Sequence, residues 1–121
     1  MQIHADTQVV GVLGYPVPDS CWPQMHNAAF AALGLNWCYL AFEVPPEDIE
    51  AAFVGIGALG LKGVNLTIPH KEAALRLAHE VSEEARLAGA VNTILNEEGR
   101  LRGFNTDVEG FVRAAAEGGV Q

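Results

Sequence analysis

The run Gly63-Val64-Asn65-Leu66-Thr67-Ile68-Pro69-His70-Lys71 decides the fold class of this chain. Gly63 to Thr67 reads as a short strand, apolar and bounded by turn signals. Pro69 favours a helix start, because its missing N–H costs nothing in a first turn. Lys71 to His79 then reads as a helix. A strand that passes into a helix is the repeating unit of an α/β layered domain. The same run places an amide, a hydroxyl and an ammonium within seven residues. In a first turn the helix dipole disfavours Lys71 by roughly 0.3–1 kcal/mol. Local rules tend to be broken at functional sites, so this lysine invites a functional explanation.

The same alternation extends outward in both directions. Gln8 to Gly14 reads as a buried strand and Tyr15 to Ser20 as a loop, since two prolines exclude regular structure there. Pro23 to Leu33 is a predicted helix stopped by Gly34, and Trp37 to Val44 a second strand. Pro45-Pro46-Glu47-Asp48 opens a helix in which Ile49, Phe53, Ile56 and Gly60 share a face. Ser82 to Leu87 is a short helix with Ser82 as its cap. Val91 to Asn96 and Arg100 to Asn105 flank the turn Asn96-Glu97-Glu98-Gly99 and read as a hairpin. Thr106-Asp107-Val108-Glu109 has the form of a capping box and opens a last helix, with Gly118-Gly119 as its stop. The expected fold is a three-layer α/β/α domain over residues 1–121: a mainly parallel, twisted sheet plus one antiparallel hairpin strand.

Composition narrows the function classes. The 121 residues suit one domain, and half of them are hydrophobic, so a core can form. No apolar run is long enough for a membrane span, and the first six residues lack a signal-peptide pattern, so a cytoplasmic location is expected. The formal net charge of −8, without a basic patch, argues against nucleic-acid binding. It would also repel an anion at long range, so any anion site must be built locally. Cys21 and Cys38 lack metal-ligand spacing and read as reduced thiols; no metal site is expected.

Domains of this kind bind ligands beyond the carboxyl ends of their strands. The polar residues at those places are Ser20, Asn65, Thr67, Lys71, Asn92, Thr93, Asn105, Thr106 and Asp107, of which Ser20, Asn65, Thr67, Lys71, Asn92 and Asp107 are the candidate site residues. Amides, hydroxyls, one ammonium and one carboxylate suit a small polyhydroxylated ligand and one proton transfer. Each also has a purely structural reading. Asp107 can be a first-turn helix residue, Asn92 a cap, Thr67 a strand former, Ser20 a turn residue and Lys71 a solvated side chain. Joint occurrence carries the case, not any one of them. His26 and His70 read as wall or helix-face residues, since no partner stands at ligand spacing.

Five ordered segments resemble the substrate-binding N-terminal domain of shikimate dehydrogenases. They are Gly14-Tyr15-Pro16, Pro23-Gln24-Met25-His26-Asn27, Gly63 to Lys71, Gly89-Ala90-Val91-Asn92-Thr93 and Gly103-Phe104-Asn105-Thr106-Asp107. The resemblance implies NADPH-dependent reduction of 3-dehydroshikimate to shikimate, with Lys71 and Asp107 as the catalytic pair. It implies that Ser20, Asn65, Thr67 and Asn92 bind the substrate. NADP is implied for the full-length family enzyme and not for this chain alone. Gly118 to Gln121 stands where the linker to a dinucleotide-binding domain is expected. Gly55-Ile56-Gly57-Ala58-Leu59-Gly60 spells G-x-G-x-x-G, but inside a predicted helix rather than at a strand-to-helix turn. The isolated chain is therefore expected to lack redox activity.

One segment departs from the family pattern. Where the family carries His-Ser-x-Ser-Pro, with both serines on the substrate carboxylate, this chain has Asp19-Ser20-Cys21-Trp22-Pro23. A donor is lost and an acid is added, so the ordinary substrate is expected to bind poorly. Like charges about 4–6 Å apart cost on the order of a kcal/mol or more. Two other readings stay open: a non-catalytic ligand-binding or self-associating module, including a homodimer, and a family member acting on quinate or an amino analogue. Trp22 could then be an exposed anchor for another protein.

Overall fold

The computed structural model describes residues 2–17 and 20–107. Its strands are β1 (Gln8–Gly14), β2 (Trp37–Glu43), β3 (Gly63–Leu66), β4 (Glu80–Val81), β5 (Thr93–Glu97) and β6 (Arg100–Phe104). The helices are α1 (Trp22–Ala32), α2 (Ile49–Leu59), α3 (Ala74–Leu77) and α4 (Glu83–Ala88). The strands form one sheet in the order β2-β1-β3-β5-β6-β4. β1 runs parallel to β2 and β3, β4 runs parallel to β6, and β5 is antiparallel to both its neighbours. The mixed sheet with its antiparallel strand matches the expected architecture.

Side-chain alternation separates two faces. On one face, Leu13, Val64, Leu66 and Ile94 pack against Ile49, Phe53 and Ile56 of α2, with Ala74 and Ala85 of the short helices alongside. Each large apolar side chain buried there contributes about 1.5–3 kcal/mol. This is the α2 face that sequence periodicity marked out. A 3-10 turn at Pro46–Asp48 precedes α2, and Gly60 ends it in the left-handed region at φ 72°. Val10, Tyr39, Asn65 and Thr93 point to the opposite face, beneath or beside α1.

α1 buries no residue fully and holds the sheet through directed contacts. Asn27 Nδ2 donates to the Tyr39 carbonyl at 2.9 Å, while its Oδ1 accepts from the Tyr39 N–H at 2.7 Å. The Asn27 amide thus pairs with the edge strand β2 as a neighbouring strand would, which occupies backbone groups otherwise left open. His26 stacks on the Tyr39 ring with centroids 4.3 Å apart.

One predicted element is corrected. Residues 68–73 form turns, and the helix expected over Lys71 to His79 is reduced to Ala74–Leu77. A helix through this stretch would need the Lys71 carbonyl for its own ladder. That carbonyl instead accepts from Val91 N at 2.9 Å, and Leu75 N turns to Glu72 O at 3.1 Å. A tertiary hydrogen bond therefore replaces the local one. Thr106 and Asp107 are helical, and the rest of the predicted last helix lies outside the described residues.

Candidate active site

Backbone pairing brings four chain segments to one place. Thr67 N donates to Leu13 O at 3.0 Å, Leu66 N to Asn92 O at 2.8 Å, and Asn92 N to Phe104 O at 2.9 Å. The ends of β1, β3 and β6 therefore meet the start of β5. There a cleft of about 380 Å³ opens, lined by Trp22, His26, Asn65, Leu66, Thr67, Lys71, Asn92, Thr106 and Asp107. Five of the six residues named from sequence share this wall: Lys71, Asp107, Asn65, Thr67 and Asn92.

Lys71 reaches the cleft from a turn, so the helix dipole does not oppose it. Among the described residues the ion pairs lie elsewhere, at Arg76, Arg100 and Arg102. The ammonium and the Asp107 carboxylate are thus both open to a ligand. Next to Lys71, His70 points the other way. It is 1% exposed, and its Nε2 lies 2.7 Å from the Val44 carbonyl, which makes it a fastener of the turn.

The two asparagines sit in a continuous hydrogen-bond chain. The Tyr39 hydroxyl donates to Asn65 Oδ1 at 2.9 Å, and Asn65 Nδ2 donates to Thr93 Oγ1 at 3.3 Å. Thr93 Oγ1 donates to Asn92 Oδ1 at 3.0 Å. Asn92 Oδ1 also accepts from Thr106 N at 2.9 Å and from Thr106 Oγ1 at 3.3 Å. Burial pushes the Tyr39 phenol well above its ordinary pKa. Sequence reasoning named Asn65 and Asn92 but missed Tyr39. The available signal was a tyrosine in a strand destined for burial, whose hydroxyl then needs a partner.

Ser20 does not line the cleft; its Oγ accepts from Trp22 N at 3.3 Å. Trp22 and His26 do line it, one helical turn apart on α1, with His26 Nδ1 donating to the Trp22 carbonyl at 2.9 Å. Trp22 is half-buried in this wall. Asp19 lies outside the described residues. Cys21 and Cys38 are free thiols. Among the described residues no cluster of His, Cys, Asp or Glu could hold a metal ion.

Such a fold, with a polar cleft at converging strand ends, is of the α/β class in which small-molecule sites lie beyond the strand ends. A family model for the shikimate dehydrogenase substrate binding domain matches residues 12–94, and the chain belongs to that family. It is 54% identical over 117 residues to the NADP(+) shikimate dehydrogenase of Methanopyrus kandleri, covering 97% of this chain and 40% of that protein. The crystal structure of shikimate 5-dehydrogenase from Listeria monocytogenes with shikimate and NAD superposes with a TM-score of 0.89 at 39% identity, over 100% of this chain and 42% of that one. A shikimate dehydrogenase solved with NADP+ gives a TM-score of 0.88 at 46% identity, over 96% and 40%. The chain thus spans about two-fifths of the length of the relatives it matches.

The Methanopyrus kandleri relative is named for NADP(+), a dinucleotide whose phosphates a G-x-G-x-x-G strand-to-helix turn can cradle. Gly55 and Gly57 lie inside α2 and Gly60 caps it, so this G-x-G-x-x-G is not a strand-to-helix phosphate loop. This run therefore does not fit a dinucleotide's phosphates.

Proposed function

We propose that this chain is the substrate-binding domain of a shikimate dehydrogenase-type, NADP-dependent oxidoreductase of the cytoplasm, and that residues 1–121 hold no redox activity by themselves. The observation that carries the reading is the meeting of Lys71, Asp107, Asn65, Thr67 and Asn92 on one cleft. The ligand is a polyhydroxylated ring acid of the shikimate type. Asn65, Thr67 and Asn92 bind its hydroxyls. When a ketone becomes an alcohol its oxygen gains a proton. Lys71 donates it, and the ammonium stabilises that oxygen as charge develops. Asp107 supplies the opposite charge and accepts a hydrogen bond from a substrate hydroxyl. Free thiols at Cys21 and Cys38 suit a reducing compartment.

Trp22 in the wall supports weak binding of shikimate itself, because an indole face replaces a hydroxyl donor. Calorimetry with shikimate tests this on the chain and on its double variant Trp22→Ser, Asp19→His. The expected outcome is weak but saturable binding that tightens about tenfold, near 1.4 kcal/mol, in the variant. If neither protein binds shikimate, the substrate reading fails. Equal binding by both would sink only the argument from the loop. With NADPH and 3-dehydroshikimate, the purified chain should leave NADPH unoxidised. Steady oxidation would refute the claim that it is inactive alone.

A further inference from the structure

Tyr39 is 2% exposed and has no evident part in the chemistry above, yet it begins the hydrogen-bond chain behind the cleft. The direction of every bond in that chain is set from its far end. A backbone N–H can only donate, so Thr106 N fixes Asn92 Oδ1 as an acceptor. The Thr93 hydroxyl spends its proton on the same oxygen. Its lone pair is then left to accept from Asn65 Nδ2. That orientation turns Asn65 Oδ1 toward Tyr39, where the phenol O–H meets it. A flipped Asn65 would set an N–H against the phenol and leave the buried hydroxyl proton without this acceptor.

The consequence reaches the ligand side. Three bonds converge on Asn92 Oδ1, so Nδ2 is the group this side chain has left for a ligand in the cleft that Asn92 lines. We propose that Tyr39 is a positioning residue of the cleft: its O–H holds the Asn65 amide in the orientation that keeps the Thr93 proton on Asn92 Oδ1, and so supports Thr106 in leaving Asn92 a donor to an oxygen of the bound ligand. Asn27 secures the relay's near end, since its amide clamps the Tyr39 backbone on both sides. The ligand group facing Asn92 must therefore accept a hydrogen bond, as a hydroxyl or carbonyl oxygen does and an ammonium does not. This inference rests on the substrate reading above for the identity of the ligand, and on the hydrogen bonds alone for the relay.

Side-chain amide resonances of Asn65 and Asn92 test the two separately. Tyr39→Phe keeps the ring and removes only the O–H. It should move both amides in the free protein and weaken shikimate binding about fivefold, the scale of one net hydrogen bond. Thr93→Val cuts the relay in its middle. In that background Tyr39→Phe should still move Asn65 and leave Asn92 where it was. A merely structural role for Tyr39 predicts no such gating, because packing effects would reach Asn92 with or without the Thr93 hydroxyl. An Asn92 resonance that ignores Tyr39→Phe overturns the relay, as does one that responds equally in the Thr93→Val background. If the relay behaves as expected but shikimate moves neither amide, the relay stands. The substrate reading, and with it the positioning role toward that ligand, then falls.

Discussion

At Tyr39, burial and the bond to Asn65 favour the neutral phenol, so its pKa in the folded chain lies above the ordinary 10.0. The folded state then holds this proton more tightly than the unfolded state does. The resulting stabilisation is fully present below pH 10 and is lost as pH climbs through the folded value, at up to about 1.4 kcal/mol per pH unit. Urea unfolding from about pH 9 to about pH 11 should show the margin of the chain over Tyr39→Phe shrinking with pH. A constant margin would contradict the phenol's raised pKa. Reactive residues were more legible than this one. Lys71, Asp107, Asn65 and Asn92 are polar side chains at strand ends, where sequence alone gives a reason to look. Tyr39 resembles an ordinary strand tyrosine until its hydroxyl partner, 26 residues away, is known.

Elements were read well where their signals are local. The Asn96 to Gly99 turn carries positive φ at Glu98 and Gly99, 54° and 93°, which suits a two-residue hairpin loop. Ser82 Oγ accepts from Ala85 N at 3.2 Å as an N-cap, and Gly89 closes α4 in the left-handed region. The helix expected from Lys71 to His79 was misread because Val91, twenty residues on, takes the Lys71 carbonyl. Asn96 shows the same long reach in the opposite sense. Its Nδ2 donates to Leu61 O at 2.8 Å and Ile56 O at 3.2 Å, while its Oδ1 accepts from Gly99 N at 2.8 Å. One side chain thus ties the hairpin turn to the end of α2. Asn96→Ala should cost about 1–3 kcal/mol in chemical denaturation. A change below half a kcal/mol, within the usual ±0.5 kcal/mol of surface substitutions, would mean that these bonds are replaced without loss.

At the scale of the whole molecule, the described residues cover the two sheet faces unequally. α2 and the short helices close one face, whereas α1 lies chiefly over β2 on the other. Among the described residues this leaves a groove of about 240 Å³ beside Phe30, Trp37 and Leu95, with Leu95 43% exposed. Apolar surface of this kind favours association. We expect sedimentation at rising concentration to show weak self-association, and a strictly monomeric chain would count against it. No helix among the described residues is long and apolar enough to cross a membrane. The alternation of strands and helices, the apolar face of α2 and the polar roster at the strand ends follow from sequence, since each depends on neighbours within a few residues. Strand order, the turn that frees Lys71 from a helix dipole, and the relay from Tyr39 to Asn92 were decided only by tertiary structure. They turn on hydrogen bonds between groups far apart in sequence, such as Val91 to Lys71, Tyr39 to Asn65 and Asn65 to Thr93, which no local pattern encodes.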